Sequence, residues 1–346
     1  METYKKNSIF NPTGNDDVQK RTIIKGNSTG LFNLNNTKYA RAKSMYTVMI
    51  GNFRVPEKVS GLNEDSIQYK QELTDGEKRA YDGILSFLIF LDSIQTTNLP
   101  NFAEYITAPE VQLLLAIQTY QEAIHSQSYA TILESVVDAE KRDEIYYFRR
   151  ENPILLERNT YIGQIYQDFI EHPSDENFFK WLIGNFLLEG LYFYNGFAFF
   201  DTLADHLKMK ATDRMISYIR RDELTHVTMF TNILREIKKE FPEMYNEKLI
   251  YEMFTHAVDQ EIKRAQHILK NNIIGINENT TEQYTKRLAN NRLGMLWLSP
   301  LYPEATENPY QHLERLQDTN GEKSNFFEWT VINYTQSSSM KGTRDF

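Results

Sequence analysis

The stretch Gln121-Glu-Ala-Ile-His-Ser-Gln-Ser-Tyr-Ala-Thr-Ile-Leu133 decides the fold. Read as an α-helix, it sets Glu122, His125 and Tyr129 at i, i+3 and i+7, within roughly 60° of one another on one face. A carboxylate, an imidazole and a phenol aligned this way can hold a metal ion with an oxidisable ring beside it. The metal-binding half recurs downstream as Glu223-Leu-Thr-His226. Two Glu-x-x-His pairs on separate helices are half of what a dimetal site inside a four-helix bundle requires.

Outward from this stretch the pattern stays helical. Thr107-Ala-Pro-Glu110 opens the focal helix, with Pro in the first turn. Upstream, a helix is expected over 39–51, ended by Pro56-Glu57. The next is capped by Leu73-Thr-Asp-Gly-Glu77 and carries the apolar run from Ile84 to Asp92. Asn98-Leu-Pro-Asn101 reads as a turn. Downstream, helices fit 137–150, 153–171, 176–208, 211–240, 245–272 and 280–296, punctuated by Pro153, Pro173 and Pro242. Residues 1–30 read as a mobile polar arm, 31–320 as one helical domain, and 321–346 as a flexible tail.

Composition agrees. A chain of 346 residues can bury a large core, and its 21 Phe and 21 Tyr against 15 Gly and 10 Pro favour long helices over a turn-rich β architecture. The formal net charge of −9 argues against a general nucleic-acid binder. The absence of cysteine excludes disulfides, thiolate metal sites and Cys nucleophiles, and fits a cytoplasmic location. The run Phe178–Phe200 is long enough to span a bilayer, but Lys180, Asn185, Glu189 and Asn195 interrupt it. It reads as the buried central helix of a bundle, and no membrane span is expected.

The other half of the dimetal site is a carboxylate from each of two further helices. Asp92 and Glu189 are the candidates, each at a buried-looking position in an apolar helical run. A lone carboxylate of this kind is usually a helix-face or capping group. Four such elements in chain order, Asp92, Glu122 with His125, Glu189, and Glu223 with His226, point to a carboxylate-bridged pair of metals. Mixed His and carboxylate ligation suits iron or manganese better than structural zinc. Phe193, Phe197 and Ile219 fall at helical spacings that would wall the site, although core packing explains them equally well.

These residues resemble the small, radical-generating subunit of class I ribonucleotide reductase. The resemblance rests on Leu91-Asp-Ser-Ile-Gln95, Glu122-Ala-Ile-His-Ser-Gln-Ser-Tyr129, Leu188-Glu189 with Phe193 and Phe197, and Arg221-Asp-Glu-Leu-Thr-His226. Gly30-Leu-Phe-Asn-Leu-Asn-Asn36, Asn325-Phe-Phe-Glu328 and Val331-Ile-Asn-Tyr334 look like the chlamydial-type branch of that family. The resemblance implies an all-α ferritin-like bundle with extra helices around the site. Asp92, Glu122, His125, Glu189, Glu223 and His226 would bind two metal ions per chain: an iron pair, with Mn/Mn or Mn/Fe as the alternatives. Tyr129 would be oxidised to a stored radical; chlamydial-type subunits carry Phe there, so Tyr129 sets this chain with the tyrosyl-radical enzymes.

By the same resemblance, Asp222 is the relay carboxylate and Tyr334 the tail tyrosine that hands the radical to the large subunit, onto which Thr335–Phe346 would dock. A homodimer and an activating flavoprotein are the other partners implied. One residue departs from the family's pattern. Where it usually has Trp two residues before Pro-Glu, this chain has Arg54, which cannot be oxidised as Trp can, and the neighbouring Phe53 is hard to oxidise. The metal site does not depend on this position, but the radical path does. The rival functions for the same fold are a different dimetal oxidase or desaturase, which has no use for Tyr129 or the tail, and a metal-storage protein.

Overall fold

The computed structural model describes residues 4–270 and 273–311. Its helices are α1 (Ala40–Gly51), α2 (Leu62–Gln71), α3 (Asp75–Ala103), α4 (Pro109–Val136), α5 (Ala139–Glu151), α6 (Pro153–Glu171), α7 (Asp175–Leu187), α8 (Tyr194–Asp205), α9 (Lys210–Glu240), α10 (Glu247–Leu269) and α11 (Glu278–Met295). The described residues contain no strand, only two isolated bridges. The fold is an all-α, ferritin-like helical bundle. α3 packs on α4, α4 and α7 pack on α9, and α10 closes against α3 and α7.

Helix starts follow the cap chemistry of the sequence. Before α3, the Thr74 hydroxyl accepts from the Glu77 amide at 3.2 Å and the Glu77 carboxylate accepts from the Thr74 amide at 2.8 Å, a reciprocal capping box. Ser174, Asn152 and Asn246 cap α7, α6 and α10 more simply, each with a side-chain oxygen that accepts from a first-turn amide. Glu77 also takes Lys208 Nζ at 2.9 Å on both oxygens, tying α3 to the turn before α9. Burial pushes the Glu77 carboxyl upward, but the hydrogen bonds from Lys208 and the Thr74 amide outweigh it and hold the group below its ordinary value of 4.5. A depressed carboxylate contributes stability above its unfolded pKa and loses it as pH falls through the folded value. Glu77→Gln is therefore expected to lower unfolding free energy by about 1–2 kcal/mol at pH 7. The difference from wild type should shrink toward zero in urea unfolding at pH 3.

Three expectations are corrected. Asn98–Asn101 is not a turn: α3 runs through Pro100 to Ala103. Side chains on the inward face hold that last stretch. Asn98 Oδ1 accepts from Trp181 Nε1 at 2.8 Å, Leu99 and Phe102 are fully buried, and Phe102 stacks on Trp181 with ring centroids 3.6 Å apart. Proline near a helix end forfeits a single ladder bond, which this packing offsets. Second, α2 has no counterpart in the sequence reading. It is a polar helix opened by Gly61 at φ +101°, and Asp65 on it accepts from the Thr212 amide at 2.6 Å and the Thr212 hydroxyl at 2.7 Å.

The third correction concerns 176–208, which is not one α-helix. A π-helical turn, Leu188–Tyr192, separates α7 from α8. Such turns free a carbonyl from the α ladder; here Gly190 O is taken by Arg292 Nε of α11 at 2.9 Å. A Cβ at Gly190 would meet that nitrogen at 3.0 Å, so the close approach calls for glycine. The extra residue of the turn sets Glu189 into the bundle centre, fully buried.

Lys180, Asn185 and Asn195 of the Phe178–Phe200 run each find a partner within the protein. Lys180 pairs with Glu176 at the surface, Asn185 donates to Trp181 O, and Asn195 donates to Glu261 and Thr285. Among the described residues no helix is long and apolar enough to cross a membrane. The polar N-terminal arm expected over 1–30 has an anchored part. Ile23 and Ile24 are buried, Ile24 bridges to Ile106, and Arg21 forms a buried pair with Glu110 at 3.0 Å. The C-terminal tail and Tyr334 lie outside the described residues.

Candidate metal centre

Four helical segments deliver the six residues singled out in the sequence to one place. Asp92 comes from α3, Glu122 and His125 from α4, Glu189 from the π-helical turn, and Glu223 and His226 from α9; all six are fully buried. They form two overlapping groups: Asp92, Glu122, His125 and Glu223, and then Glu122, Glu189, Glu223 and His226. Within each group the ligand atoms lie within 4.8 Å of one another. Glu122 and Glu223 belong to both groups, as bridging carboxylates would.

The histidines face inward through Nδ1. His125 Nδ1 lies 3.0 Å from Glu223 Oε1, 3.3 Å from Glu122 Oε2 and 3.8 Å from Asp92 Oδ2. His226 Nδ1 lies 3.0 Å from Glu223 Oε2, 3.3 Å from Glu122 Oε1 and 3.5 Å from Glu189 Oε2. The ring centroids are 6.1 Å apart.

Four carboxylates in a dry core cannot all remain ionised without compensation, because each unpaired charge costs several kcal/mol. The groups respond as that argument requires. Burial, reinforced by the neighbouring carboxylates, pushes Asp92, Glu122 and Glu223 well above the usual carboxylate range. Glu189 is also pushed up by burial, but the Glu223 carboxyl, the His226 ring and the Gln95 amide beside it outweigh burial and hold it below its ordinary value. Burial drives His125 down to about 4, whereas the Glu189 and Glu122 carboxylates overcome burial and raise His226.

The donor set fits a pair of cations on independent grounds. Both Asp92 oxygens, Glu122 Oε2, Glu189 Oε2, Glu223 Oε1 and His125 Nδ1 are buried with no hydrogen-bond partner. Two divalent ions would neutralise four carboxylates and give these orphaned atoms partners.

The Tyr129 ring sits one turn beyond His125 on α4, fully buried. Its hydroxyl lies close enough to Asp92 for each to shift the other's proton affinity, yet it makes no hydrogen bond of ordinary geometry. Burial, with Asp92 next, pushes the phenol well above its ordinary value, so the ring holds its proton. Phe193, Phe197 and Ile219 are buried, with Phe193 stacked on Phe197.

Asp222 belongs to neither ligand group but stands behind one ligand. Its Oδ2 lies 3.3 Å from His125 Nε2 and accepts from Arg54 Nη1 at 2.5 Å, while its Oδ1 accepts from Asn52 Nδ2 at 3.0 Å. Burial pushes the Asp222 carboxyl up, but the His125 bond and the Arg54 charge outweigh it and hold the carboxyl below its ordinary range. Arg54 and Asp222 are 11% and 1% exposed at their side chains. Arg54→Ala is therefore expected to destabilise the chain by about 3 kcal/mol, the scale for stranding one partner of a buried pair. Denaturant melts of the metal-free protein would measure it.

Three glutamines escaped the sequence reading. Gln118 donates to Glu189 Oε1 at 2.8 Å and to Glu122 Oε1 at 3.2 Å, Gln95 donates to Glu189 Oε1, and Gln121 Oε1 lies 3.0 Å from His226 Nε2. Helical spacing held the signal: Gln95 is three residues past Asp92, Gln118 four before Glu122, and Gln121 precedes Glu122 as Asp222 precedes Glu223.

Comparison with known proteins gives a single answer. Residues 31–309 match the family described as the ribonucleotide reductase small chain. A ribonucleoside-diphosphate reductase subunit beta from Treponema pallidum is 39% identical over 97% of this chain and 96% of its own length. A second, from Halalkalibacterium halodurans, is 34% identical over 99% of each. The solved ribonucleotide reductase R2 subunit from Clostridium botulinum superposes with a TM-score of 0.87 at 44% identity, covering 90% of this chain and 98% of that one.

Proposed function

The chain belongs to the small-chain family of ribonucleotide reductase, and from that premise we propose that Asp92, Glu122, His125, Glu189, Glu223 and His226 hold two metal ions that oxidise Tyr129 to a stored radical. Its role is that of the radical-generating small subunit of ribonucleoside-diphosphate reductase, which works with a large subunit. A lipid-acting dimetal oxidase or a metal-storage protein would leave this family relationship without explanation. The observation that carries the reading is the pair of overlapping ligand groups sharing Glu122 and Glu223, with the Tyr129 ring beside Asp92.

When bound, the metals supply the reducing electrons for O₂ and the oxidising power that removes one electron from a nearby phenol. The remaining work falls to the chain. Glu122 and Glu223, shared by both ligand groups, would hold both ions, and Asp222 and Gln121 aim the two imidazoles. Asp92, the carboxylate that acts most strongly on the Tyr129 hydroxyl, would be kept ionised by the bound cations and would take the phenolic proton as the ring is oxidised. The buried aromatic wall keeps water and reductants from the radical. An iron pair is the proposed occupant, with Mn/Mn or Mn/Fe as alternatives served by the same donors.

Cysteine is absent from the chain, so the thiol chemistry of nucleotide reduction belongs to the large subunit. Thr335–Phe346 docks there, Tyr334 carries the radical across, and Asp222 lies at the start of that route. Arg54 occupies the outer side of Asp222 and offers no oxidisable ring, so transfer beyond Asp222 uses another group. A homodimer, a cytoplasmic location and an activating flavoprotein complete the proposal. The docking test is competition: a synthetic Thr335–Phe346 peptide should inhibit the reconstituted enzyme without altering the radical signal. If the peptide has no effect at any concentration, the tail is not the docking element.

A further inference from the structure

The two Glu-x-x-His motifs are more alike than their ligands suggest. Each is preceded by a polar residue, giving Gln121-Glu122-x-x-His125 on α4 and Asp222-Glu223-x-x-His226 on α9. In a helix the first and last residues of such a motif are i and i+4, on one face and one turn apart. The histidine therefore points inward beside a polar side chain that has no ligand role of its own. In the structure each of these side chains reaches across to the opposite helix. Asp222 Oδ2 meets His125 Nε2 at 3.3 Å, and Gln121 Oε1 meets His226 Nε2 at 3.0 Å. Position 121 faces 226 and position 125 faces 222, the reciprocal register of two helices that cross antiparallel. The motif thus provides two ligands on its own helix and a clamp for the ligand on the other.

We propose that Gln121 is the positioning residue for His226, as Asp222 is for His125, and that the two motifs form a reciprocal clamp. The proposal rests on the metal-ligand reading given above. A carboxamide oxygen can only accept, so the bond fixes the His226 tautomer with its proton on Nε2 and the Nδ1 lone pair toward Glu122, Glu189 and Glu223. Gln121 is itself held, because it is 4% exposed and its Nε2 donates to Met49 O of α1 at 3.4 Å. The donor on the ring and the backing on the amide leave His226 one orientation. Partners of this kind set the orientation of a ligating imidazole, and their loss typically weakens metal binding about 10–100-fold. Gln121 makes no contact that would hold a metal directly, so its effect is confined to the position served by His226.

The test is Mn(II) binding to the metal-free full-length chain, followed by the electron paramagnetic resonance of free aqueous Mn(II), with the thermal midpoint of each metal-free variant as a fold control. Gln121→Leu keeps side-chain bulk and removes the acceptor. One of two Mn(II) ions is expected to weaken by about 10–100-fold while the other keeps its wild-type constant. Gln121→Glu restores an acceptor and is expected to recover the weakened ion. Wild-type binding of both ions by Gln121→Leu would overturn the clamp. So would equal weakening of both ions together with a lowered midpoint and no recovery in Gln121→Glu, which marks a packing role only. A wild-type chain that binds no Mn(II) or Fe(II) would instead overturn the metal-ligand reading on which the proposal stands.

Discussion

Tyr129→Phe is expected to reduce ribonucleotide reduction to background while leaving the metal-free chain as stable as wild type or more so. The two halves of this result come from the same atom. Removing the hydroxyl removes the only part of the side chain that can give up a proton as the ring gives up an electron, and a phenyl ring in its place is out of reach of the same oxidant. The hydroxyl is also buried without a hydrogen bond of ordinary geometry. A buried polar group in that state costs about 1–3 kcal/mol, and its replacement by hydrogen in a ring of the same shape recovers part of it. The expected gain is about 1 kcal/mol in urea unfolding of metal-free protein. The two Mn(II) or Fe(II) ions should still bind, since the substitution leaves all six carboxylate and imidazole side chains of the two ligand groups in place. Retained turnover would remove Tyr129 from the mechanism, and a loss of several kcal/mol would mean that its hydroxyl has a structural partner.

Glu223→Leu is the second large effect, and it separates function from stability in the other direction. Glu223 belongs to both ligand groups, so its loss is expected to leave at most one weakly held metal and no radical. In wild type, each site saturated at a hundredfold excess over its dissociation constant adds about 2.7 kcal/mol to the folded state. Metal should therefore raise the wild-type melting temperature and leave the variant almost unmoved. Without metal the order reverses. Burial and the Glu189 charge push the Glu223 carboxyl far from its ordinary proton affinity, so the site is strained when empty of cations. A leucine of similar bulk relieves this, and the metal-free variant is expected to be about 1–2 kcal/mol more stable than metal-free wild type. Scanning calorimetry with and without chelator measures both terms. A metal-dependent rise as large in the variant as in wild type would remove Glu223 from the site.

The helical class and the six clustered side chains were legible because their signals are local. Glu122 with His125 and Glu223 with His226 are i, i+3 pairs that the helix itself places together, and Thr74 with Glu77 is a capping box written within four residues. What the sequence concealed depends on partners remote in the chain. The π-helical turn at Leu188–Tyr192 lies in a run as apolar as its surroundings. The bond from Arg292 to Gly190 that accompanies it spans 102 residues. Pro100 stays inside α3 because Trp181 and Phe102 pack on that turn, and neither ring announces the other. α2 is a mostly polar helix whose Asp65 holds Thr212 of a distant helix, so its hydrophobic pattern is too faint to find. Gln121 was visible in principle, one residue before Glu122, but its purpose appears only when α4 and α9 are laid against each other.

Arg54 bears on the candidate site as well as on the proposed path. Its guanidinium bonds Asp222 Oδ2 and the Tyr218 carbonyl, and its carbon lies 5.7 Å from the Tyr218 ring centre. A cleft of about 190 Å³ beside it is lined by Met49, Phe53, Tyr120 and Gln121 as well as Asp222. The carboxylate behind His125 is thus held by a fixed charge. With the His125 bond, the Arg54 charge favours the ionised form of Asp222 and so supports the carboxylate that meets His125 Nε2.

The most direct test of a radical-generating dimetal centre is electron paramagnetic resonance on the full-length chain loaded with Fe(II), or separately with Mn(II), and then exposed to O₂. The expected result is an organic radical with tyrosyl hyperfine structure that collapses to a narrower pattern when tyrosine is ring-deuterated and is absent from Tyr129→Phe. Two bound metals per chain with only a coupled metal signal, unchanged by Tyr129→Phe, would place the stored oxidant on the metals and contradict the role given to Tyr129.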